Sequence, residues 1–535
     1  MDDVTQQPLR GIRRLSLGAL AGLIAAYAAI AVAELISAAV RPEAGPVIAV
    51  GGAAIDRTPA PVKDWAIRHF GTNDKLILQL GILGVLGVLA LVLGMLAARW
   101  RLIGSIGVLT FGLVGALAAV SRPDSIGPAD ALPSVVGAVA GAALLYWLAG
   151  RLDPVQGRAG AAAPAPAAGA GQSWDRRRFI LAATAAAAAS TGAGLAGRAL
   201  NGVQGKDAVA SRNDVRLPAP SSRAASVPRG AAPRISGLSP FMTPNGDFYR
   251  VDTALVVPKV DATRWELRIH GKGVDPELTL SYDDLLGMPL IERDITLTCV
   301  SNEVGGPYVG NARWIGVRLA DLLTRCGVKS PAEGGPADQL VARSVDGMTI
   351  GTPVEDVMDG RDAMLALGMN GRPLPFEHGF PVRMVVPGLY GYVSACKWIQ
   401  DIELTTFDSY DSYWVKRDWA RRAPIKTQSR IDTPKPFGRP KAGTVIVAGV
   451  AWAQHRGIDK VEVRVDDGPW READLAAEDT RDTWRQWSYP WQAEKGGHTL
   501  AVRATDRTGE TQTDRRTRTI PDGASGWHSV AVTVE

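Results

Sequence analysis

From the N-terminus, apolar positions first come in unbroken runs, at 15–40, 76–98, 102–120, 131–149 and 179–197. Each is close to the roughly 20 residues that carry a helix across a bilayer. Five transmembrane helices are therefore expected, the fifth mostly alanine, a composition that suits either a weakly inserting helix or a signal segment. After residue 200 the pattern changes to short alternations. Residues 265–271 read as a strand and 244–250 as a turn running into one, while 280–286, 319–323 and 353–358 are short helical candidates among strands. That mixture predicts an α+β domain. Residues 424–440 read as a proline-bearing connection, and strands are predicted over 444–450, 460–465, 484–491, 499–505 and 527–534. Short strands between Gly, Asp and Pro turns point to an all-β sandwich. The expected organisation is a helical membrane region over 1–200, a linker over 201–234, an α+β domain over 235–425 and a β-sandwich over 426–535.

Charge orients the helices. Arg10, Arg13 and Arg14 precede the first run, Arg99 and Arg101 lie between the second and third, and Arg151, Arg158, Arg176, Arg177 and Arg178 lie between the fourth and fifth. Placing these on the cytoplasmic side satisfies the positive-inside bias and puts everything after Gly197 outside the cytoplasm. The stretch Asp175-Arg176-Arg177-Arg178-Phe179-Ile180-Leu181 reads equally as a positive anchor or as an internal twin-arginine export signal. Residues 157–171 and 201–234 are Ala-, Gly-, Ser- and Pro-rich linkers, the second a tether for the domain that follows. At 535 residues the chain is too long for one ordinary domain, and its net charge of +5, with both signs interspersed in the C-terminal part, gives no nucleic-acid signature. Three cysteines exclude a disulfide scaffold, and no Cys-x-x-Cys pair suggests a zinc knuckle.

Candidate chemistry centres on Arg293-Asp-Ile-Thr-Leu-Thr-Cys299-Val-Ser-Asn302-Glu-Val-Gly305-Gly306, followed by Asn311-Ala-Arg-Trp314. Ile295, Leu297 and Cys299 alternate with threonines as in a half-buried strand, and the Ser-Asn and Gly-Gly signals stop it just past the cysteine. A lone cysteine is by default a small core hydrophobe; at a strand end it is also a group handed to a loop by a rigid scaffold. Two later segments matter beside it, Asn370-Gly-Arg-Pro-Leu-Pro375-Phe-Glu-His378-Gly-Phe-Pro381-Val-Arg383-Met-Val-Val-Pro387-Gly388 and Lys397-Trp398. Together, over roughly residues 237–535, these resemble the sulfite oxidase superfamily of molybdopterin enzymes.

The resemblance implies that Cys299 is a thiolate ligand of molybdenum, in a positively charged surrounding. It implies that His378, Arg383, Asn302, Lys397 and, more weakly, Thr352 contact the molybdenum-molybdopterin cofactor, and that Asn245, Tyr249 and Arg250 open the pocket, Arg250 holding an oxyanion substrate. Lys-Trp commonly stands one residue closer to the arginine in that family, so either Ser394 to Cys396 or Lys397 takes the cofactor-facing positions. Glu303-Val304 replace two arginines that commonly follow the asparagine in sulfite oxidases. The last unit is implied to be an Ig-like domain through which such enzymes dimerise. Cys326 reads as core, and Cys326 with Cys396 is a conceivable disulfide outside the cytoplasm.

None of the six histidines falls in an apolar run, so no haem held by transmembrane histidines is expected in this chain, and a separate cytochrome or small carrier is the expected redox partner. Related methionine-sulfoxide reductases use a separate membrane haem partner. The expected function is oxygen-atom transfer, with oxidation of sulfite or a related sulfur compound first and reduction of a sulfoxide or other oxo compound second. A membrane-displayed binding module with a degenerate molybdopterin fold is the rival from another class.

Overall fold

The computed structural model describes residues 6–59, 62, 65, 66, 69, 70, 74–152 and 171–535. They form two compact units, one of Met1–Lys206 with Thr253–Val256, the other of Asp207–Asp252 with Val257–Glu535.

The first unit is helical. Its long elements are α1 (Gln6–Val40), α2 (Pro46–Arg57), α3 (Asp74–Arg99), α4 (Arg101–Val120), α5 (Leu132–Gly150) and α6 (Gly171–Asp214), the last running on into the second unit. Among the described residues five helices are long and apolar enough to cross a bilayer, Arg13–Val40, Lys75–Arg99, Arg101–Val120, Pro128–Gly150 and Phe179–Asp214. Small residues let their backbones approach: a Cβ on Gly22 would lie 2.0 Å from the carbonyl oxygen of Ala90. Polar pairs join α1 to α6, with Tyr27 Oη donating to Thr191 Oγ1 at 3.1 Å and Asn201 Nδ2 to Glu34 Oε1 at 3.2 Å. Of the linker expected over 157–171, residues 157–170, and the side chains of Arg176, Arg177 and Arg178, lie outside the described residues.

The second unit contains an α+β part and a β part. The first five-stranded sheet has the order β2-β1-β10-β5-β6, built from β1 (Glu266–Gly271), β2 (Leu278–Ser281), β5 (Gln339–Ser344), β6 (Thr349–Pro353) and β10 (Ile399–Thr405). The second has the order β3-β4-β7-β8, from β3 (Leu290–Thr298), β4 (Val309–Arg318), β7 (Met364–Met369) and β8 (Arg372–Pro373), with β9 (Arg383–Val385) also on β7. Asn370 and Gly371 close the β7–β8 hairpin with φ of 51° and 75°, the left-handed pair that Asn-Gly supplies at little cost. Short helices Tyr282–Leu286, Leu319–Arg325 and Val354–Met358 fall where apolar spacing predicted them, the first shortened because 278–281 pairs as β2.

Beyond them, β11 (Gln428–Thr433), β12 (Gly443–Trp452), β16 (Arg485–Ala493) and β15 (Asp474–Leu475) form one four-stranded sheet. A second consists of β14 (Arg471–Glu472), β13 (Ile458–Val465), β17 (Gly496–Asp506) and β18 (His528–Val534). One core lies between them, with Val447 and Trp487 of the first sheet among Val461, Leu500 and Val530 of the second.

Four local expectations are corrected. The tether expected over 201–234 is helical to Asp214, since no proline interrupts the chain before Pro218. Its remainder lies along a strand, with Ser221 N–H donating to the Leu290 carbonyl at 2.9 Å. The turn at 244–250 forms, through the Phe248 N–H to Pro244 carbonyl bond at 3.0 Å, but no strand follows, because aromatic contacts rather than a ladder hold the segment. Within 424–440, β11 forms against β12. Its alternation is hidden because polar residues are buried on both of its faces beside the single apolar Ile431: Ser429 Oγ donates to Gln512 Oε1 at 2.6 Å and Gln428 Nε2 to the Ala524 carbonyl at 2.9 Å. Finally, β3 is buried on both faces from Asp294 to Thr298, because the C-terminal β part covers its threonines.

Candidate active site

β3 carries the chain to Cys299, which is 9% exposed. Its N–H donates to the Tyr308 carbonyl at 2.9 Å, and its own carbonyl accepts from Asn302 N–H at 3.0 Å. Asn302 turns its Oδ1 back to accept from Tyr308 N–H at 2.8 Å, so the loop beyond the cysteine is closed on itself. Tyr249 stacks on Phe248 with ring centroids 5.2 Å apart, and a Cβ on Gly391 would lie 4.0 Å from its hydroxyl and 3.7 Å from the Thr298 carbonyl. The end of β3, Tyr249 and the turn at 391 thus converge. Burial, with the charge of Cys299 added, pushes the Tyr249 phenol well up, and Arg383 opposes the shift. Tyr390 is raised by burial in the same direction, the charges of Asp522 and Cys299 adding to it.

A cationic group lies on the other side of Tyr249, whose phenol feels the charge of Arg383 as well as that of Cys299. Glycine at 379, with φ of +109°, lets two backbones meet: a Cβ there would stand 3.0 Å from that of Arg383 and 3.1 Å from that of Lys397. Arg383 is 5% exposed, its guanidinium carbon 5.0 Å over the Trp314 ring and its Nη1 donating to the His378 carbonyl at 3.3 Å. Its Nε is buried with no hydrogen-bond partner. Burial draws this guanidinium down to about 10. His378 Nε2 lies 2.9 Å from the Asn245 carbonyl, which only accepts, so Nε2 carries the hydrogen and Nδ1 is the acceptor. Burial holds its pKa near 4, helped by Arg383 and Lys397, and the ring is neutral at pH 7. Asn245 is fixed in turn, its Oδ1 accepting from Asn370 Nδ2 at 2.7 Å and its Nδ2 donating to the Met369 carbonyl at 3.3 Å.

Lys397 Nζ lies 2.9 Å from Asp252 Oδ2 and donates to the Glu377 carbonyl at 3.2 Å, and its charge acts on His378 together with that of Arg383. Ser394 Oγ is within donor reach of the Leu389 and Tyr390 carbonyls, at 2.9 and 3.0 Å, and Thr352 Oγ1 donates to the Val393 carbonyl. Both hydroxyls keep only lone pairs to offer a bound group. Cys396 is fully buried, and burial raises its thiol far above the usual range; none of the three cysteines forms a disulfide, so the Cys326–Cys396 pairing is not made. Arg250 is more exposed than expected for an oxyanion clamp and pairs with Asp252 at 2.8 Å. Glu303 is exposed and Val304 buried. Sequence reasoning marked the stretch that holds Trp314 without giving that residue a role, and it missed Asp252, Tyr308 and Tyr390. Of these three only Asp252 left a signal, an acid two residues past Arg250 in a segment already marked.

The donor set fits a molybdopterin group. An unpaired buried guanidinium costs on the order of several kcal/mol, so a buried Arg383 with an orphan Nε is suited to an anion such as the pterin's phosphate. A thiol at a rigid strand end is the soft donor molybdenum takes.

The family model described as oxidoreductase molybdopterin binding domain matches residues 254–414. The chain is 32% identical over 288 residues to mitochondrial sulfite oxidase of Rattus norvegicus, covering 46% of this chain and 52% of that one. It is 33% identical over 162 residues to the oxidoreductase YuiH of Bacillus subtilis, 30% of this chain and 75% of that protein. Among solved structures, the sulfane dehydrogenase SoxCD from Paracoccus pantotrophus superposes with a TM-score of 0.48 at 24% identity, over 55% of this chain and 84% of that one. The chain spans only about half the length of the rat sulfite oxidase it matches. With a thiol, a buried arginine and a neutral histidine in the order the motifs predict, this chain belongs to the sulfite oxidase superfamily of molybdopterin-binding oxidoreductases.

Proposed function

We propose that this chain is a membrane-anchored molybdenum-cofactor oxidoreductase that oxidises sulfite or a related sulfur compound by oxygen-atom transfer. The observation that carries the reading is the buried Arg383, whose Nε has no hydrogen-bond partner, in the cationic cluster beside Tyr249, the phenol that also feels the charge of Cys299. The cofactor, when bound, supplies the redox and oxygen-transfer chemistry. Cys299 would ligate molybdenum, Arg383 would hold the pterin's anionic end, and His378, Asn245, Asn302 and Lys397 would orient its polar edge, with Thr352 and Ser394 accepting from it. Tyr249 and Arg250 line the substrate side, where the cationic surround attracts an oxyanion. Oxidation of sulfite takes an oxygen from water and releases an electron pair and protons, and a separate extracytoplasmic cytochrome or small carrier takes the electrons.

Five apolar helices support a multi-pass anchor. The arginine distribution supports placing the residues after 200 outside the cytoplasm. The domain limits proposed are 1–200, 201–234, 235–425 and 426–535, the last an Ig-like unit able to pair with a second copy, supported by its two sheets around one core.

The test is molybdenum and pterin content of the purified full chain and its Cys299→Ser variant, with dye-coupled assays using sulfite and methionine sulfoxide. Stoichiometric metal with sulfite turnover, lost in the variant, is expected. Metal with sulfoxide reduction alone would reverse the direction, and no metal from a cofactor-making host would leave a binding module.

A further inference from the structure

β3 is an edge strand, with β4 on one side only. A buried edge needs partners for its backbone groups. Along its first half the 221–222 segment supplies them, with Glu292 N–H donating to the Ser222 carbonyl at 2.8 Å. Along the second half, just before Cys299, the partners come from the C-terminal β part. Thr296 N–H donates to the Asp482 carbonyl at 2.9 Å, and Thr296 Oγ1 accepts from Trp484 N–H at 2.7 Å. Gln454, 1% exposed in the turn after β12, donates through Nε2 to the Thr296 carbonyl at 2.9 Å and to Thr298 Oγ1 at 3.0 Å. Beyond the cysteine, Arg430 Nη1 donates to the Gly306 carbonyl at 2.9 Å, and the His528 ring occupies the space a Cβ on Gly305 would need, 2.2 Å away.

We propose that Gln454 is a positioning residue for the metal ligand, the point through which the C-terminal β part sets the direction of the Cys299 side chain. The inference rests on the reading of Cys299 as that ligand. Both hydrogens of the Gln454 amide are spent on residues 296 and 298, while its Oε1 is buried with no hydrogen-bond partner. An amide kept with one end unsatisfied is kept for the other end. Because the two acceptors belong to alternate residues of the last stretch of β3, the bridge fixes the pleat there and so the face onto which the next side chain projects. Simple adhesion between the two parts would not need it, since Trp484 already donates its indole N–H to the Phe241 carbonyl at 2.9 Å and packs in the α+β core.

The test compares the full chain with Gln454→Met, which keeps the length and removes both donors. In metal-free protein, amide exchange over 294–300 and the rate of alkylation at Cys299 are read by peptide mass spectrometry, with the amides of β7 as the internal standard. In metal-loaded protein, the Mo(V) resonance is recorded with kcat and KM. Exchange and alkylation about 10-fold faster at the cysteine with β7 unchanged, a shifted resonance, and kcat lower by about 10-fold at constant KM are expected, the size typical of groups that orient metal ligands. Unchanged exchange at 294–300, or an equal rise in β7, overturns the proposal. If Gln454→Met does not fold, Thr298→Val removes one acceptor and is read the same way. A wild-type chain without molybdenum would sink the ligand reading, while the exchange result would still decide whether Gln454 holds the strand.

Discussion

Arg250 and Lys397 reach the same carboxylate oxygen, Asp252 Oδ2, at 2.8 and 2.9 Å. The acid is 3% exposed, Lys397 11% and Arg250 37%, so one anion is shared by a buried cation and a surface one. Coulomb energy grows as water is excluded, which makes the two bonds unequal. A double-mutant cycle of Lys397→Met with Asp252→Asn should give a coupling of about 1–3 kcal/mol, and Arg250→Met with Asp252→Asn less than about 1 kcal/mol. Urea unfolding of the second unit within the full chain measures both. Equal couplings would show that the carboxylate serves Arg250 as much as Lys397.

The second prediction concerns Arg383. Burial without a full set of partners makes it a liability in the metal-free protein. Replacing such a charge by an apolar chain of similar length is often neutral or stabilising by about 1–4 kcal/mol. Arg383→Met should therefore leave the metal-free melting temperature unchanged or raised, while molybdopterin content falls by 10-fold or more if one charge-assisted bond of about 1.5–3 kcal/mol is lost. A variant that melts lower yet retains the cofactor would show that the arginine is structural.

Cys299, His378 and Arg383 were legible because their spacing survives in the sequence and because each sits at the end of a regular element. The five long apolar helices were legible for a simpler reason, since length and composition alone mark them. What the sequence hid was tertiary. Residues 428–433 form a strand in which Ile431 is the one buried apolar side chain beside buried Gln428, Ser429 and Asp432, and polar residues satisfied by distant partners carry no hydrophobic period. The threonines of β3 looked solvent-facing for the same reason: their cover, Gln454 and Trp484, lies more than 150 residues away. Asp252 was overlooked because a carboxylate in a loop is ordinarily solvated, and only the fold brings Lys397 to it.

Two histidines make the second unit sensitive to acid. Burial lowers both His378 and His528 to about 4 from an ordinary 6.5. His528 Nδ1 accepts from Ile431 N–H at 3.0 Å, so a proton there breaks a bond as well as adding a buried charge. A folded pKa below the unfolded one means the unfolded chain binds more protons, so stability is intact above about 6.5 and falls as pH drops toward 4. His528→Gln should remove about 1–3 kcal/mol of that loss between pH 7 and pH 4.5, seen as a flatter melting temperature against pH. An unchanged slope would assign the acid sensitivity elsewhere.

Asp479 shifts in the opposite direction. It faces Asp294, whose carboxylate is already forked by Arg313 at 2.8 and 2.6 Å, with Glu292 and Glu478 nearby. Burial first, and then the charge of Asp294, raise Asp479 to about 7, and Arg313 opposes the rise only in part. The proton that Asp479 keeps is the natural bridge toward Asp294. Since the folded state now holds a proton that the unfolded chain releases near pH 4, stability contributed by this group is full below about pH 4 and declines as pH rises to about 7. Asp479→Asn keeps a donor toward Asp294 without the charge. The variant should match the wild type at pH 4 and exceed it at pH 8 by about 1 kcal/mol after allowance for solvent screening, or about 2–4 °C in melting temperature. The histidine effect runs the other way, so the difference between variant and wild type, not the wild-type curve, is the quantity to plot. Parallel curves across pH 4–8 would mean that Asp479 ionises in the folded chain as it does in the unfolded one and that the loop at 479 lets in enough water to solvate it.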